Sequence, residues 1–231
     1  MRVEQGDGMR GSLKWIQRLV AERSDLLERP LRSAGALGAN ATVEWTSPRE
    51  ADGWAEYRDA GFLDQLRLGH LRDELRAFWP SMGPQWDALG RTSEGGVVLV
   101  EAKAHLGEFT SRCEAVAPAS IAKIEAALNA TQRAFEARRG SEWMTSYYQY
   151  ANRLAHLHFL RSHGVDAQLE FVYFLGDAGM PGPHGRADFE QAVGRVRRSL
   201  GLPEGGSMPH VIDVYVDVTA LRGGSSPSIG E

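Results

Sequence analysis

The sequence is poor in cysteine, in long apolar runs and in surplus positive charge. Cys113 is the only cysteine in 231 residues. An intramolecular disulfide and a cysteine-based zinc site are therefore excluded, and a reducing cytoplasm is the expected compartment. The longest apolar stretches, such as 97–100 and 171–175, fall far short of the roughly 20 residues that cross a bilayer as a helix. A membrane partner is not expected. Lys and Arg number 26 against 30 Asp and Glu, for a formal net charge of −4. General nucleic-acid binders carry a basic domain, so contact with DNA or RNA here requires a local basic patch or metal ions bridging to phosphate.

What the chain does have is the make-up of a folded globular protein. It is 42% hydrophobic and 24% charged, within the ordinary range, and long enough to bury one sizeable core. Residues 1–11 are polar and glycine-rich and read as a flexible leader. Residues 12–32 carry apolar side chains at helical spacing, with Pro30 as the stop. A strand is expected over 42–46. Ser47-Pro48 with Glu50 then has the form of a helix start. The next helix spans 62–79, with Phe62, Leu66, Leu71, Leu75 and Phe78 on one face.

Two strands, 85–92 and 97–104, flank the turn Ser93-Glu94-Gly95-Gly96. Helices follow over 118–138 and 141–162, separated by Arg139-Gly140. A strand over 167–175, a helix over 187–200 and a strand over 211–218 complete the pattern. The polar segment 223–231 reads as a disordered tail. This order implies an α/β fold in one domain, 12–222, with a central mixed β-sheet flanked by helices on both faces.

Chemistry concentrates in 86–105. Trp86-Asp87 precedes an apolar run, 97–100, that ends in Glu101-Ala102-Lys103. Such a run fits a strand buried on both faces. Side chains alternate along a strand, so Glu101 and Lys103 share a face. Burying both charges is costly without partners, which points either to use or to a structural ion pair. The use suggested is phosphodiester hydrolysis. A hard divalent cation takes carboxylate and carbonyl oxygens, here from Asp87, Glu101 and the Ala102 carbonyl. Lys103 would orient or help deprotonate a water and stabilise the charged transition state.

An aspartate, a spacer, an apolar strand and Glu-X-Lys, preceded by a helix and followed by an α-then-β stretch, resemble the PD-(D/E)XK nuclease superfamily over roughly 62–175. The resemblance implies a restriction-endonuclease-like core, a Mg²⁺ (or Mn²⁺) cofactor, and nucleic acid, DNA first, as substrate. A homodimer is compatible with it. No proline directly precedes Asp87, since the local string is Pro84-Gln85-Trp86-Asp87.

By position, Glu74 resembles the glutamate that such proteins contribute to the metal site from the preceding helix; otherwise it is a carboxylate at the edge of an apolar face. Gln149, Asn152, Arg153 and His156 form one stripe at i, i+3, i+4 and i+7, a solvated face or a set of phosphate contacts. Gln149, Asn152 and Arg153 are taken as substrate-binding, with His105, whose strand parity matches Glu101 and Lys103. The spacing of His156, His158 and His163 disfavours zinc. Trp143, Tyr147, Tyr148 and Tyr150 could stack bases or fill the core.

The register of the two motif strands decides whether the acids meet. A turn that pairs Thr92 with Val97 sets Asp87 opposite Ala102, facing away from Glu101. A longer loop, or a bulge at Gly95-Gly96, sets it opposite Glu101 or Lys103. A nuclease site requires the second. The competing expectation is a catalytically silent protein of the same fold that serves as a binding module.

Overall fold

A computed structural model describes residues 1–138, 143–203 and 208–221. In chain order the elements are β1 (Arg2–Val3), α1 (Gly11–Glu22), α2 (Asp25–Ser33), β2 (Val43–Ser47), β3 (Glu56–Tyr57), α3 (Ala60–Gln65), α4 (Arg72–Phe78), β4 (Ala88–Thr92) and β5 (Val97–Lys103). They continue with α5 (Pro118–Ala134), α6 (Tyr148–Ser162), β6 (Ala167–Leu175), α7 (Arg186–Ser199) and β7 (Val211–Asp217).

Five strands form one sheet in the order β2-β4-β5-β6-β7. The β2/β4 and β4/β5 pairs are antiparallel, and β5/β6 and β6/β7 are parallel. The mixed α/β core expected from the sequence is therefore present. On one face Leu89, Leu99, Leu169, Phe171 and Tyr173 pack against residues of α3 to α7. On the other, Ala88, Val98, Val100, Val172 and Phe174 meet Trp15, Ile16, Leu19, Leu27 and Leu31 of α1 and α2. Every residue of β5 is buried, because helices cover both faces of this central strand.

The β4–β5 turn fixes the register. Arg91 pairs with Val97, and residues 92–96 form the loop. The Thr92 N–H donates to the Gly96 carbonyl at 2.8 Å, and the Gly96 N–H donates to Thr92 Oγ1 at 2.9 Å. Gly95 adopts φ of 89°, a region costly for a residue with a Cβ.

Several boundaries differ from the periodicity. The 12–32 segment is two helices divided at Arg23-Ser24, and Pro30 lies inside α2 rather than ending it. Pro30 is the sixth of the nine residues of α2, where the missing N–H leaves the Leu26 carbonyl without its helical donor. The 62–79 segment is not one helix. α3 ends at Gln65, Arg67 adopts φ of 59°, a 3-10 turn covers Gly69–Leu71, and α4 begins at Arg72. A 3-10 turn, Glu50–Asp52, follows Ser47-Pro48 in place of a longer helix. α6 begins at Tyr148. The expected turn at Arg139-Gly140 and the 223–231 tail lie outside the described residues. Arg2 and Val3, read as leader, pair antiparallel with Tyr57 and Glu56. Among the described residues no helix is long and apolar enough to cross a membrane.

Candidate active site

Ala88 pairs with Val100, so Asp87, one residue before β4, falls opposite Glu101. This is the register that lets the two acids share a face. β4 ends here, and the Asp87 side chain takes over its role at the edge: Oδ2 accepts the Ala102 N–H at 2.6 Å. The N–H and C=O of a strand residue point to the same edge. The Ala102 carbonyl therefore points into the gap that β4 has left. Among the described residues no donor reaches Asp87 Oδ1. The side chain is closely surrounded yet retains some exposed surface.

Glu101 and Lys103 are 1% and 3% exposed. Lys103 Nζ donates to Glu101 Oε1 at 2.8 Å and to Gln149 Oε1 at 2.9 Å. Arg153 Nε donates to Glu101 Oε2 at 2.7 Å. The rest of the guanidinium donates to the Gln85 carbonyl at 2.7 Å and to Asn152 Oδ1 at 2.9 Å, and it lies 4.9 Å from the centre of the Trp86 ring. The polar stripe on α6 thus faces inward. Gln149 and Arg153 reach the motif, and Asn152 holds Arg153.

Glu56, on β3, belongs to no motif in the sequence. It is 5% exposed. Its Oε2 accepts from Gln85 Nε2 at 2.5 Å and from Gln5 Nε2 at 3.2 Å. Its only local signal is an acid set between Ala55 and Tyr57 on a two-residue strand. Glu56, Asp87 and Glu101 act on one another electrostatically. Burial pushes the Glu56 carboxyl up to about 7, with Gln85 opposing and the Glu101 charge adding. Burial, then the charges of Glu101 and Glu56, hold Asp87 well above the usual carboxylate range. Burial would also raise Glu101, but Arg153 and Lys103 outweigh it and hold that carboxyl below its ordinary value. Three carboxylates face two fixed cations, and the one excess negative charge adds to burial in raising Asp87 and Glu56.

Two expected members lie elsewhere. Glu74 is exposed on α4, because Leu71 and Leu75 hold the inner face and Glu74, about 100° round the helix from Leu75, falls at its edge. His105 follows the end of β5 and caps a 3-10 turn, Leu106–Phe109. Its Nδ1 accepts the Gly107 N–H at 3.2 Å, and its Nε2 lies 3.5 Å from Glu108 Oε1. Among the described residues no hydrogen bond or ion pair joins it to the cluster. Of the aromatic string, Trp143 and Tyr150 are core: Trp143 Nε1 donates to the Leu200 carbonyl, and Tyr150 stacks on Phe171 at 4.1 Å.

A divalent cation would find oxygen donors here and nothing softer: Asp87, the Ala102 carbonyl, Glu101 and, nearby, Glu56. The uncovered Asp87 Oδ1 and the surplus of negative charge suit a hard ion. Against this, both Glu101 oxygens are engaged by Lys103 and Arg153, and no group of three His, Cys, Asp or Glu side chains among the described residues is arranged to hold a metal. Compared with protein-family models, with curated proteins and with solved structures, the chain finds no match.

Proposed function

We propose that this chain is a divalent-metal-dependent nuclease of the PD-(D/E)XK type, hydrolysing phosphodiester bonds of nucleic acid, DNA in the first place. The observation that carries the proposal is the β4–β5 register, which sets Asp87 opposite Glu101 with Lys103 on the same face. Asp87, Glu101 and the Ala102 carbonyl would hold Mg²⁺ or Mn²⁺. A bound ion of this kind polarises a phosphoryl oxygen and acidifies water.

The protein groups have separable roles. Lys103 is clamped between Glu101 and Gln149, which fixes where its ammonium can meet a water or a developing negative charge. Gln149 is a positioning residue for Lys103. Arg153 is buried against Trp86 and fully engaged with Glu101, Gln85 and Asn152. It holds Glu101 Oε2, the oxygen a cation would have to take over, rather than contacting phosphate. Burial and the charges of Glu101 and Glu56 hold the Asp87 carboxyl above its usual range, so a cation competes with protons for it.

The engaged oxygens of Glu101 favour a second reading, in which the ion network is structural and the protein is a silent binding module. A cleavage assay separates the two. Duplex DNA is incubated with Mg²⁺ or Mn²⁺, with and without chelator, for wild type, Asp87→Asn, Glu101→Gln and Lys103→Met. A nuclease cuts only with metal, and each variant loses about 10²-fold or more. No cleavage by folded wild type, or undiminished cleavage by Glu101→Gln, refutes the nuclease proposal.

A further inference from the structure

His156 lies one helical turn beyond Arg153 and is 1% exposed. Its Nδ1 is 2.9 Å from the Asn152 carbonyl. A carbonyl only accepts, so Nδ1 carries the proton and Nε2 of the neutral ring presents a lone pair. Burial drives the imidazole down to about 3, which keeps it neutral. Among the described residues no donor reaches Nε2. The ring is enclosed by aromatic neighbours, with Trp79 at 4.9 Å, Phe62 at 6.0 Å and Trp86 at 6.2 Å between centroids.

His156 and Trp79 line a cavity of about 210 Å³, together with Leu75, Arg72 and Arg76. That is smaller than the roughly 300–1,000 Å³ of sites for drug-sized ligands, and it suits a single ring system. Arg72 and Arg76 pair with Asp64 and Asp73, and these side chains are largely exposed. Exposed pairs of this kind contribute little, so both guanidinium groups can turn to phosphate. The cavity is also next to the carboxylate cluster. The Trp86 ring has the Arg153 guanidinium 4.9 Å from its centre, has His156 as a ring neighbour, and directly precedes Asp87.

We propose that this cavity seats one nucleobase, splayed out of a nucleic-acid strand, against Trp79, with His156 Nε2 accepting a hydrogen bond from the base and Arg72 and Arg76 engaging its phosphates. The proposal rests on the nuclease reading and adds a base-recognition site to it. Aromatic walls with a polar acceptor are the way an unstacked base is held. An apolar side chain from a partner protein would fill the same space but leave the buried Nε2 unpaired, which is costly.

The test is tryptophan fluorescence of the full chain titrated with AMP and CMP in EDTA, so that no cleavage enters the readout. Ribose 5-phosphate and indole are the comparison ligands. Ser81 is exposed and lies at the same cavity, so Ser81→Phe plugs it without disturbing the core. His156→Phe removes the acceptor nitrogen while retaining an aromatic ring.

The expected result is saturable quenching by the nucleotides. It is weakened at least 10-fold in both variants and at least 10-fold weaker with ribose 5-phosphate. Equal response to ribose 5-phosphate, saturation by indole but not by nucleotides, or no change in Ser81→Phe overturns the base seat. Metal-dependent cleavage without nucleotide quenching removes the base seat and leaves the nuclease. Saturable quenching without cleavage supports the seat while removing the nuclease.

Discussion

Replacing Arg153 by methionine asks whether the guanidinium occupies the place of a metal ion. The change keeps an unbranched stem out to the position of Nε and removes the guanidinium and its charge. Glu101 and Arg153 have side chains 2% and 4% exposed, and breaking a buried pair by deleting one partner costs about 3–5 kcal/mol. Lys103 remains on Glu101 Oε1 at 2.8 Å, so the loss should fall near the lower end, about 3 kcal/mol. The assay is urea unfolding with EDTA and then with Mg²⁺ or Mn²⁺. An ion bound only to the folded state at 100 times its Kd adds about 2.7 kcal/mol. Saturating metal should therefore recover most of the loss in Arg153→Met. Wild type should gain less, since its metal must first displace the guanidinium.

The pH dependence of this loss has a definite sign. Arg153 and Lys103 hold Glu101 below its ordinary value. The stability they confer is present above about 4.3, the ordinary glutamate value, and disappears as pH falls through the lower folded value. The gap between wild type and Arg153→Met should be widest near neutrality and close in acid. A metal response no larger than in wild type, or a gap indifferent to pH, refutes the account of Glu101.

Glu170, on β6, is buried with no partner for either oxygen among the described residues. Burial holds its carboxyl well above the ordinary value. Its folded form is least costly below about 4.3, and stability is lost as pH rises from there toward the folded value. Glu170→Met should thus raise the urea midpoint by the equivalent of about 1–3 kcal/mol at pH 7, and by less at pH 4. Destabilisation instead would mean that Glu170 is paired. Glu56→Gln should weaken metal binding measurably and flatten its pH dependence near 7, the value to which burial brings Glu56. Glu74→Ala should leave both metal affinity and stability unchanged, to within about 0.5 kcal/mol for the latter.

The sheet and most of its helices were legible because the apolar periods of 88–103, 118–134, 167–175 and 186–199 are long and of one kind. Glu101 and Lys103 were legible for the same reason, as charges ending a fully apolar run. The register of Asp87 was open in the sequence and was decided by the loop at residues 92–96. Glu74 is ambiguous in the sequence because a position at the edge of an apolar face can turn either way, and with Leu71 and Leu75 buried its carboxylate goes to solvent. Glu56 was invisible because a two-residue strand leaves no period, and only pairing with Arg2–Val3 and hydrogen bonds from Gln85 and Gln5 bring it to the cluster. The stripe on α6 carried residues that reach the motif, yet its inward direction depends on the partners waiting at Glu101 and Gln85 rather than on its own composition.

The most direct test is calorimetric titration of Mg²⁺ and Mn²⁺ at pH 7 in two buffers of different ionisation enthalpy, for wild type, Asp87→Ala and Glu101→Ala. Burial holds Asp87 well above the carboxylate range and brings Glu56 to about 7, so wild type should bind metal with net release of protons. Affinity should rise with pH, and both variants should lose binding. Metal binding that survives both substitutions, or binding by wild type with no proton released, contradicts a shared cation between Asp87 and Glu101.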